Sequence, residues 1–196
     1  MRSITENRKV ALVTGGSSGI GLAIAHQLAL RGYSLLLVSN QKNELAVCQA
    51  EFEKLSGRKC YALYLDLAEE TSASELFNFS RNQHLVVAVV VNNAGFMNFS
   101  EVAETPFEKV QSMLQVHMLT PTKICRLFGK EMKERKSGYI LNTSSISAVM
   151  PYPGISLYGP TKTYMRYFTR ALRSEMREYG VKVTCLIPGA TGHATA

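Results

Sequence analysis

Short runs of apolar residues alternate along this chain with longer stretches in which apolar positions recur every three or four residues. The runs are residues 10–14, 34–39, 60–65, 85–91, 139–143 and 181–187. A run with no polar face predicts a strand buried on both sides, the kind found in parallel sheets covered by helices. Between the runs, the spacing predicts helices over 19–31, 43–55, 71–79, 106–136 and 156–179. Gly138 breaks the fourth of these helices, Gly180 ends the fifth, and Pro188-Gly189 stops the last strand. Strand–helix alternation with right-handed crossovers predicts an α/β fold. The expected form is a doubly wound, three-layer α/β/α domain over residues 1–196, with a central parallel sheet of about six strands. Ligands of such sheets lie beyond the carboxyl ends of the strands, so the residues just after each strand carry the search for function.

Composition narrows this picture little. With 196 residues, 46% hydrophobic and 19% charged, the chain is ordinary for a globular domain with a sizeable core. The net charge of +7 is dispersed, and its densest cluster, residues 130–136, alternates in sign like a solvated helix end. Nucleic acid is therefore not expected as a partner. Cys48, Cys60, Cys125 and Cys185 form no C-x-x-C pair, so no metal site is expected, and buried free thiols of a reducing compartment are. The first seven residues are mostly polar and hold no apolar stretch, and the longest apolar run, 85–91, is far too short to span a bilayer. These features lead us to expect a cytoplasmic protein without a membrane partner.

The first strand is followed by Thr14-Gly15-Gly16-Ser17-Ser18-Gly19-Ile20-Gly21. Glycines there permit a tight turn and close backbone approach, and the helix that follows offers free N–H groups and a positive dipole end. This predicts a Rossmann-type dinucleotide site in which the loop cradles a diphosphate, with Ser17 and Ser18 as added hydroxyl donors. About 20 residues on, an acidic side chain would grip the ribose of NAD. The segment Ser39-Asn40-Gln41-Lys42 has none. Ser39, Asn40 and Lys42 can instead donate to a 2′-phosphate, so NADP is expected over NAD, although Lys42 also reads as a plain exposed helix start.

In the second half, Tyr158 and Lys162 stand four residues apart, on one face of a helix. Pro160 fits only in the first turn, so that helix starts no earlier than about Ser156. A cation beside a phenol favours its ionised form and suits it to exchange a proton with a carbonyl or alcohol. Ser145, just after the fifth strand, can hydrogen-bond the same oxygen.

These elements together resemble the short-chain dehydrogenase/reductase family over nearly the whole chain. The matching residues are Thr14-Gly15-x-x-x-Gly19-Ile20-Gly21, Asp66-Leu67, Asn92-Asn93-Ala94-Gly95, Ser145, Tyr158-x-x-x-Lys162 and Pro188-Gly189, in the family's order. The resemblance implies an oxidoreductase that moves a hydride between a nicotinamide and a carbonyl or alcohol carbon. It implies Tyr158 as catalytic acid/base, Lys162 as the residue that binds the nicotinamide ribose and favours the phenolate, and Ser145 as the substrate-orienting hydroxyl. Asp66 and Leu67 would lie by the adenine, Asn93, Ala94 and Gly95 by the cofactor, and Pro188 and Gly189 against the nicotinamide. The residues 150–162 look somewhat like branches acting on 3-oxoacyl or hydroxysteroid substrates. A homodimer through the helices at 106–136 and 156–179 is also implied.

Two departures from the family stand out. An Asn that supports a water in a proton relay is usual where this chain has His117, which would replace it, impair the relay or be a satisfied helix histidine. The sequence also ends at Ala196, where the family continues with substrate-loop helices and a seventh strand. This would leave the sixth strand as a sheet edge and Thr191–Thr195 as a remnant of the substrate loop. The alternative to an enzyme is a catalytically impaired NAD(P)-binding or scaffold protein of the same fold.

Overall fold

A computed structural model describes residues 9–189. The Thr191–Thr195 segment lies outside the described residues. Six strands form one parallel sheet: β1 (Lys9–Thr14), β2 (Ser34–Ser39), β3 (Cys60–Tyr64), β4 (Val86–Asn92), β5 (Gly138–Thr143) and β6 (Val181–Leu186). Their order is β3-β2-β1-β4-β5-β6, so the winding reverses between β1 and β4. A crevice opens at such a reversal, because the connections leaving the two strands diverge to opposite faces. Among the described residues, β6 stands at one edge of the sheet.

The helices are α1 (Gly19–Leu30), α2 (Lys42–Ser56), α3 (Ser72–Asn82), α4 (Phe107–Leu114), α5 (Thr120–Glu134) and α6 (Tyr158–Met176). The two-residue period of the strands sends alternate side chains to opposite layers. Ala11, Val13, Leu35 and Leu37 pack with Ala25 and Ala29 of α1 and Leu45, Cys48 and Phe52 of α2. Val10, Leu12, Leu36 and Val38 pack on the other side with Leu76 of α3 and Ile124, Phe128 and Met132 of α5. The register of β1 against β4 slips by one residue after Val10, so Val87 and Val90 share one layer while Val89 and Val91 share the other. Cys48, Cys60 and Cys125 are buried free thiols, and Cys185 is half-buried. No helix among the described residues is long and apolar enough to cross a membrane.

The expected single helix over 106–136 is not continuous. A π turn, Gln115–Leu119, joins α4 to α5. Pro121 supplies the physical reason: it has no N–H to give the carbonyl four residues back, which belongs to His117, and its ring crowds that position. The turn is wound wider there, and the Thr120 N–H reaches Gln115, five residues back. Pro160 sits in the first turn of α6, where its missing N–H costs nothing.

Candidate active site

The loop after β1 is tied to the end of β4 by one hydroxyl. Thr14 Oγ1 donates to the Val91 carbonyl (3.3 Å) and accepts from the N–H groups of Asn93 (3.0 Å) and Ala94 (3.1 Å). Gly15 follows at φ +64°, a left-handed conformation that suits glycine, and its N–H bonds Val38 O at 2.8 Å. A Cβ on Gly21 would stand 2.1 Å from the Gly15 carbonyl oxygen, so α1 can start this close to the loop only with glycine there. The Asn93 amide reaches Gly15 O (3.5 Å), and its oxygen accepts from the Thr143 hydroxyl (3.4 Å), which links the loop to the end of β5.

The first intrahelical bond of α1 runs from Leu22 N–H to Ser18 C=O. The N–H groups of Gly19, Ile20 and Gly21 therefore precede the helical ladder and are free to hold an anion. Nothing lies within 4 Å of a Cβ built on Gly19, so this end of the helix faces open space. The first turn carries no acidic side chain to compete for the positive end.

Ser17 has a different place from the expected one. Its hydroxyl is buried and donates to Gln41 Oε1 (3.0 Å), while Ser39 Oγ stands 2.7 Å away and accepts the Gln41 N–H (3.1 Å). With Ser17 donating to Gln41, the Ser39 hydrogen goes to Ser17. Both hydroxyls thus knit the glycine loop to the end of β2, and Ser18 is the exposed serine of the pair in the loop.

Two adjoining cavities run along the carboxyl edge of the sheet. One, ≈ 330 Å³, is lined by Ser39 and Asn40 from the end of β2, by Asp66 and Leu67 from the end of β3, and by Val116. The other, ≈ 440 Å³, is lined by Gly19, Ile20, Asn93, Ser145, Tyr158, Lys162, Pro188 and Gly189. They share Gly15, Ser18, Ala94, Gly95 and Phe96, so they form one crevice across the switch point. Ser17, Gly21 and Lys42 line neither part. Lys42 is the exposed first residue of α2. The carboxylate of Asp66 is exposed and accepts the Ala68 N–H at 2.9 Å.

Ser145, Tyr158 and Lys162 meet in the larger part. Ser145 caps a short 3₁₀ turn (Ile146–Ala148), its hydroxyl accepting the Ser147 N–H at 3.2 Å. Ser144 N–H and Ile146 N–H bond Leu186 O and Pro188 O, which fixes the end of β5 against the end of β6. Ser144 Oγ donates to the Lys162 carbonyl at 2.7 Å. Lys162 is 5% exposed, and its Nζ donates to Thr143 O (3.4 Å) and lies 5.4 Å from the centre of the Tyr158 ring. Burial pushes its ammonium down to about 8, partly offset by Cys185. His117 is 2% exposed, and its ring meets the Tyr158 ring edge-on at 5.7 Å. Burial first, and then the Lys162 charge, push its imidazole down to about 3.

Sequence reasoning missed Thr14, Thr143 and Ser144 as organisers of the site. It also missed the apolar rim of Phe96, Met97, Ile146 and Tyr152 around the larger part. A wider groove, ≈ 730 Å³, lies between α1 and strands β4–β6, but it is chiefly aliphatic and contains none of Ser145, Tyr158 and Lys162.

A family model described as short chain dehydrogenase matches residues 9–196. The chain is 32% identical to 17-beta-hydroxysteroid dehydrogenase type 3 of Rattus norvegicus, covering 91% of this chain and 58% of that protein. It is 31% identical to a very-long-chain 3-oxoacyl-CoA reductase of Phaeosphaeria nodorum, covering 90% and 53%. It thus spans little more than half the length of these relatives. Among solved structures, a short-chain dehydrogenase from Sphingobium yanoikuyae in complex with NADPH superposes with a TM-score of 0.88 at 27% identity, covering 94% of this chain and 71% of that one. L-sorbose reductase from Gluconobacter frateurii, complexed with NADPH and L-sorbose, gives 0.89 at 28%, covering 95% and 71%. With the glycine loop, the switch-point crevice and the Ser145, Tyr158 and Lys162 groups in place, the chain belongs to the short-chain dehydrogenase family.

Proposed function

We propose that the chain is an NADP(H)-dependent oxidoreductase that interconverts a carbonyl and an alcohol on an apolar substrate of the 3-oxoacyl or hydroxysteroid kind. One observation carries this reading. The crevice that the Thr14–Gly21 loop opens is the same crevice into which Ser145, Tyr158 and Lys162 converge. The residues present fit a dinucleotide, because the close approach at Gly15 and Gly21 leaves Gly19 facing open space at a helix N-terminus.

A bound nicotinamide supplies the hydride. The N–H groups of Gly19, Ile20 and Gly21 hold the diphosphate, with Ser18 beside them. Ser39 and Asn40, with Lys42 nearby, face the adenosine ribose, and Asp66 and Leu67 flank the adenine. Asn93, Ala94, Gly95, Pro188 and Gly189 wall the nicotinamide end. In the reducing direction the Tyr158 hydroxyl would give its proton to the substrate oxygen. Ser145 holds that oxygen. Lys162 sits behind the phenol, its ammonium 5.4 Å from the ring centre.

The apolar rim supports the substrate class. Met97 (55% exposed), Tyr152 (45%) and Ile146 line the larger part, and Phe99 (68%) stands beside the Tyr152 ring, a surface better matched to an acyl chain or steroid than to a sugar. The relatives' names point the same way. Exposed Phe107, Leu119 and Tyr167 on the segments 107–134 and α6 support a homodimer through them.

The test is NADPH oxidation with a panel of medium-chain 3-oxoacyl thioesters and 17-ketosteroids. Tyr158→Phe should lower turnover by about 10²-fold or more while NADPH still binds. Equal turnover in the variant would remove Tyr158 from its role. NADPH binding without turnover on the whole panel would favour a scaffold instead.

A further inference from the structure

His117 lies in the π turn between α4 and α5 and is 2% exposed. It is wedged between the Phe96 ring (5.4 Å) and the Tyr158 ring (5.7 Å). Both ring nitrogens are engaged. Nε2 lies 3.0 Å from the Phe96 N–H, and Nδ1 lies 3.0 Å from Thr161 Oγ1. The Thr161 hydroxyl has one hydrogen, and it goes to the Tyr158 carbonyl at 2.8 Å. Toward His117 that oxygen can therefore only accept, so Nδ1 carries the proton. The Phe96 N–H can only donate, so Nε2 must be bare. The Phe96 N–H fixes the tautomer, and the Thr161 bond to the Tyr158 carbonyl agrees with it.

We propose that His117 is a positioning residue, a Nδ1–H imidazole that braces the Gly95–Phe96 segment against the first turn of α6, so that Tyr158 and Lys162 keep their place at the crevice. It acts through these hydrogen bonds and passes no proton. This rests on the reading that Tyr158 and Lys162 carry the reaction.

Three features support a brace over a relay. A second proton on the ring would have to sit on Nε2, pointing at the Phe96 N–H. Among the described residues, the titratable groups that face the ring are Lys162 and Tyr158, both from α6, and neither is a carboxylate that would welcome an imidazolium. Space is also committed: a Cβ on Gly95 would stand 2.9 Å from Nε2 and 3.5 Å from Lys162 Nζ, so the Gly95 backbone lies close against both the imidazole and the ammonium. A shift of the ring moves the wall of the crevice and the start of α6 together.

Two measurements test this on the full chain. The first is ¹⁵N NMR of the histidine side chains, with His117 assigned by its loss in His117→Asn. The expected pattern is the Nδ1–H tautomer, unchanged between pH 5 and 8. The Nε2–H tautomer, or titration within that range, would overturn the proposal, and this readout needs no turnover. The second is kinetics with NADPH and whichever carbonyl the panel selects. His117→Ala should lower kcat by roughly 10–100-fold with a smaller change in KM, the size expected when reacting groups drift by about 1 Å. His117→Gln, whose longer amide can place its oxygen where Nε2 accepts from Phe96 and which cannot carry a proton, should recover most of that loss and leave the pH profile of kcat unshifted. A Gln variant that folds but loses a limb of the pH profile would mean that the imidazole does carry the proton. If Tyr158→Phe turns over as well as the parent chain, the functional reading fails while the NMR result stands by itself.

Discussion

The hydroxyl of Thr14 takes the backbone N–H of Asn93 at 3.0 Å, across the point where the sheet reverses its winding. The same oxygen takes the Ala94 N–H and gives its hydrogen to Val91. Valine has nearly the shape of threonine but none of these bonds. Thr14→Val leaves two N–H groups and one carbonyl without their partner. At about 1–3 kcal/mol for a group left unsatisfied, some of which solvent in the crevice recovers, the variant should lose about 2–4 kcal/mol of stability. Denaturant unfolding of the two proteins measures this directly. A loss below about 0.5 kcal/mol would show that water replaces the hydroxyl freely.

The glycine loop allows a contrast between two of its members. On Gly21 a Cβ would collide with backbone, the Gly15 carbonyl at 2.1 Å, so Gly21→Ala should displace the start of α1 and lower both the melting temperature and NADPH affinity. On Gly19 a Cβ meets no atom within 4 Å, and the only intrinsic penalty is its φ of +53°, about 1 kcal/mol. Gly19→Ala should therefore fold with a small loss of stability yet bind NADPH at least tenfold more weakly, because the open space is where the diphosphate comes. Calorimetric titration with NADPH, beside a thermal melt, separates the two. A Gly19→Ala protein with full affinity would place the diphosphate elsewhere.

How much of this was readable beforehand follows from where each constraint comes from. The strands were legible to within a residue or two, because each is a run without a polar face, bounded by groups such as Gly32 and Pro188 that interrupt it. The Tyr158–Lys162 pair was legible because helical spacing alone brings it onto one face, where Nζ lies 5.4 Å from the ring centre. The π turn was missed although Pro121 marked it, since apolar periodicity runs on through residues 106–136 and conceals a proline within it. Ser17 was misplaced because a hydroxyl turned toward Ser39 and one turned outward have the same sequence. The partners of His117, at Phe96 and Thr161, lie 21 and 44 residues away, and only the packed chain brings them to its two nitrogens.

Acid should expose the cost of keeping His117 neutral. The folded chain holds its imidazole at about 3, against an ordinary 6.5. Between those values the unfolded chain takes a proton that the folded chain refuses, so stability falls as pH drops from 6.5 toward 3. Below about 3 the penalty is fully present, and above 6.5 it is absent. At pH 4 the loss from this group is about 3 kcal/mol relative to pH 7. His117→Asn lacks the group. Its unfolding midpoint in urea should decline less over the same interval, the carboxylates being common to both proteins. Parallel declines would mean that the imidazole accepts its proton in the folded state.

The choice between NADP and NAD turns on the end of β2. The smaller part of the crevice receives Ser39 and Asn40 there, and the carboxylate that lines it, Asp66, comes from the end of β3 and is bonded to the Ala68 N–H. A 2′-phosphate on the adenosine ribose would thus meet an amide, with the exposed ammonium of Lys42 two residues on. Asn40→Asp keeps the size of the side chain and reverses its preference. Facing a phosphate at partly solvated range, the new charge costs about 1–2 kcal/mol, and a carboxylate in this position instead suits the two hydroxyls of an unphosphorylated ribose. The variant should bind NADPH about tenfold more weakly and NADH at least as tightly as the parent chain. Fluorescence titrations with both cofactors at low ionic strength, where screening is weakest, give the clearest difference. An unchanged NADPH to NADH ratio would put the phosphate beyond the reach of Asn40 and remove the end of β2 from cofactor selection.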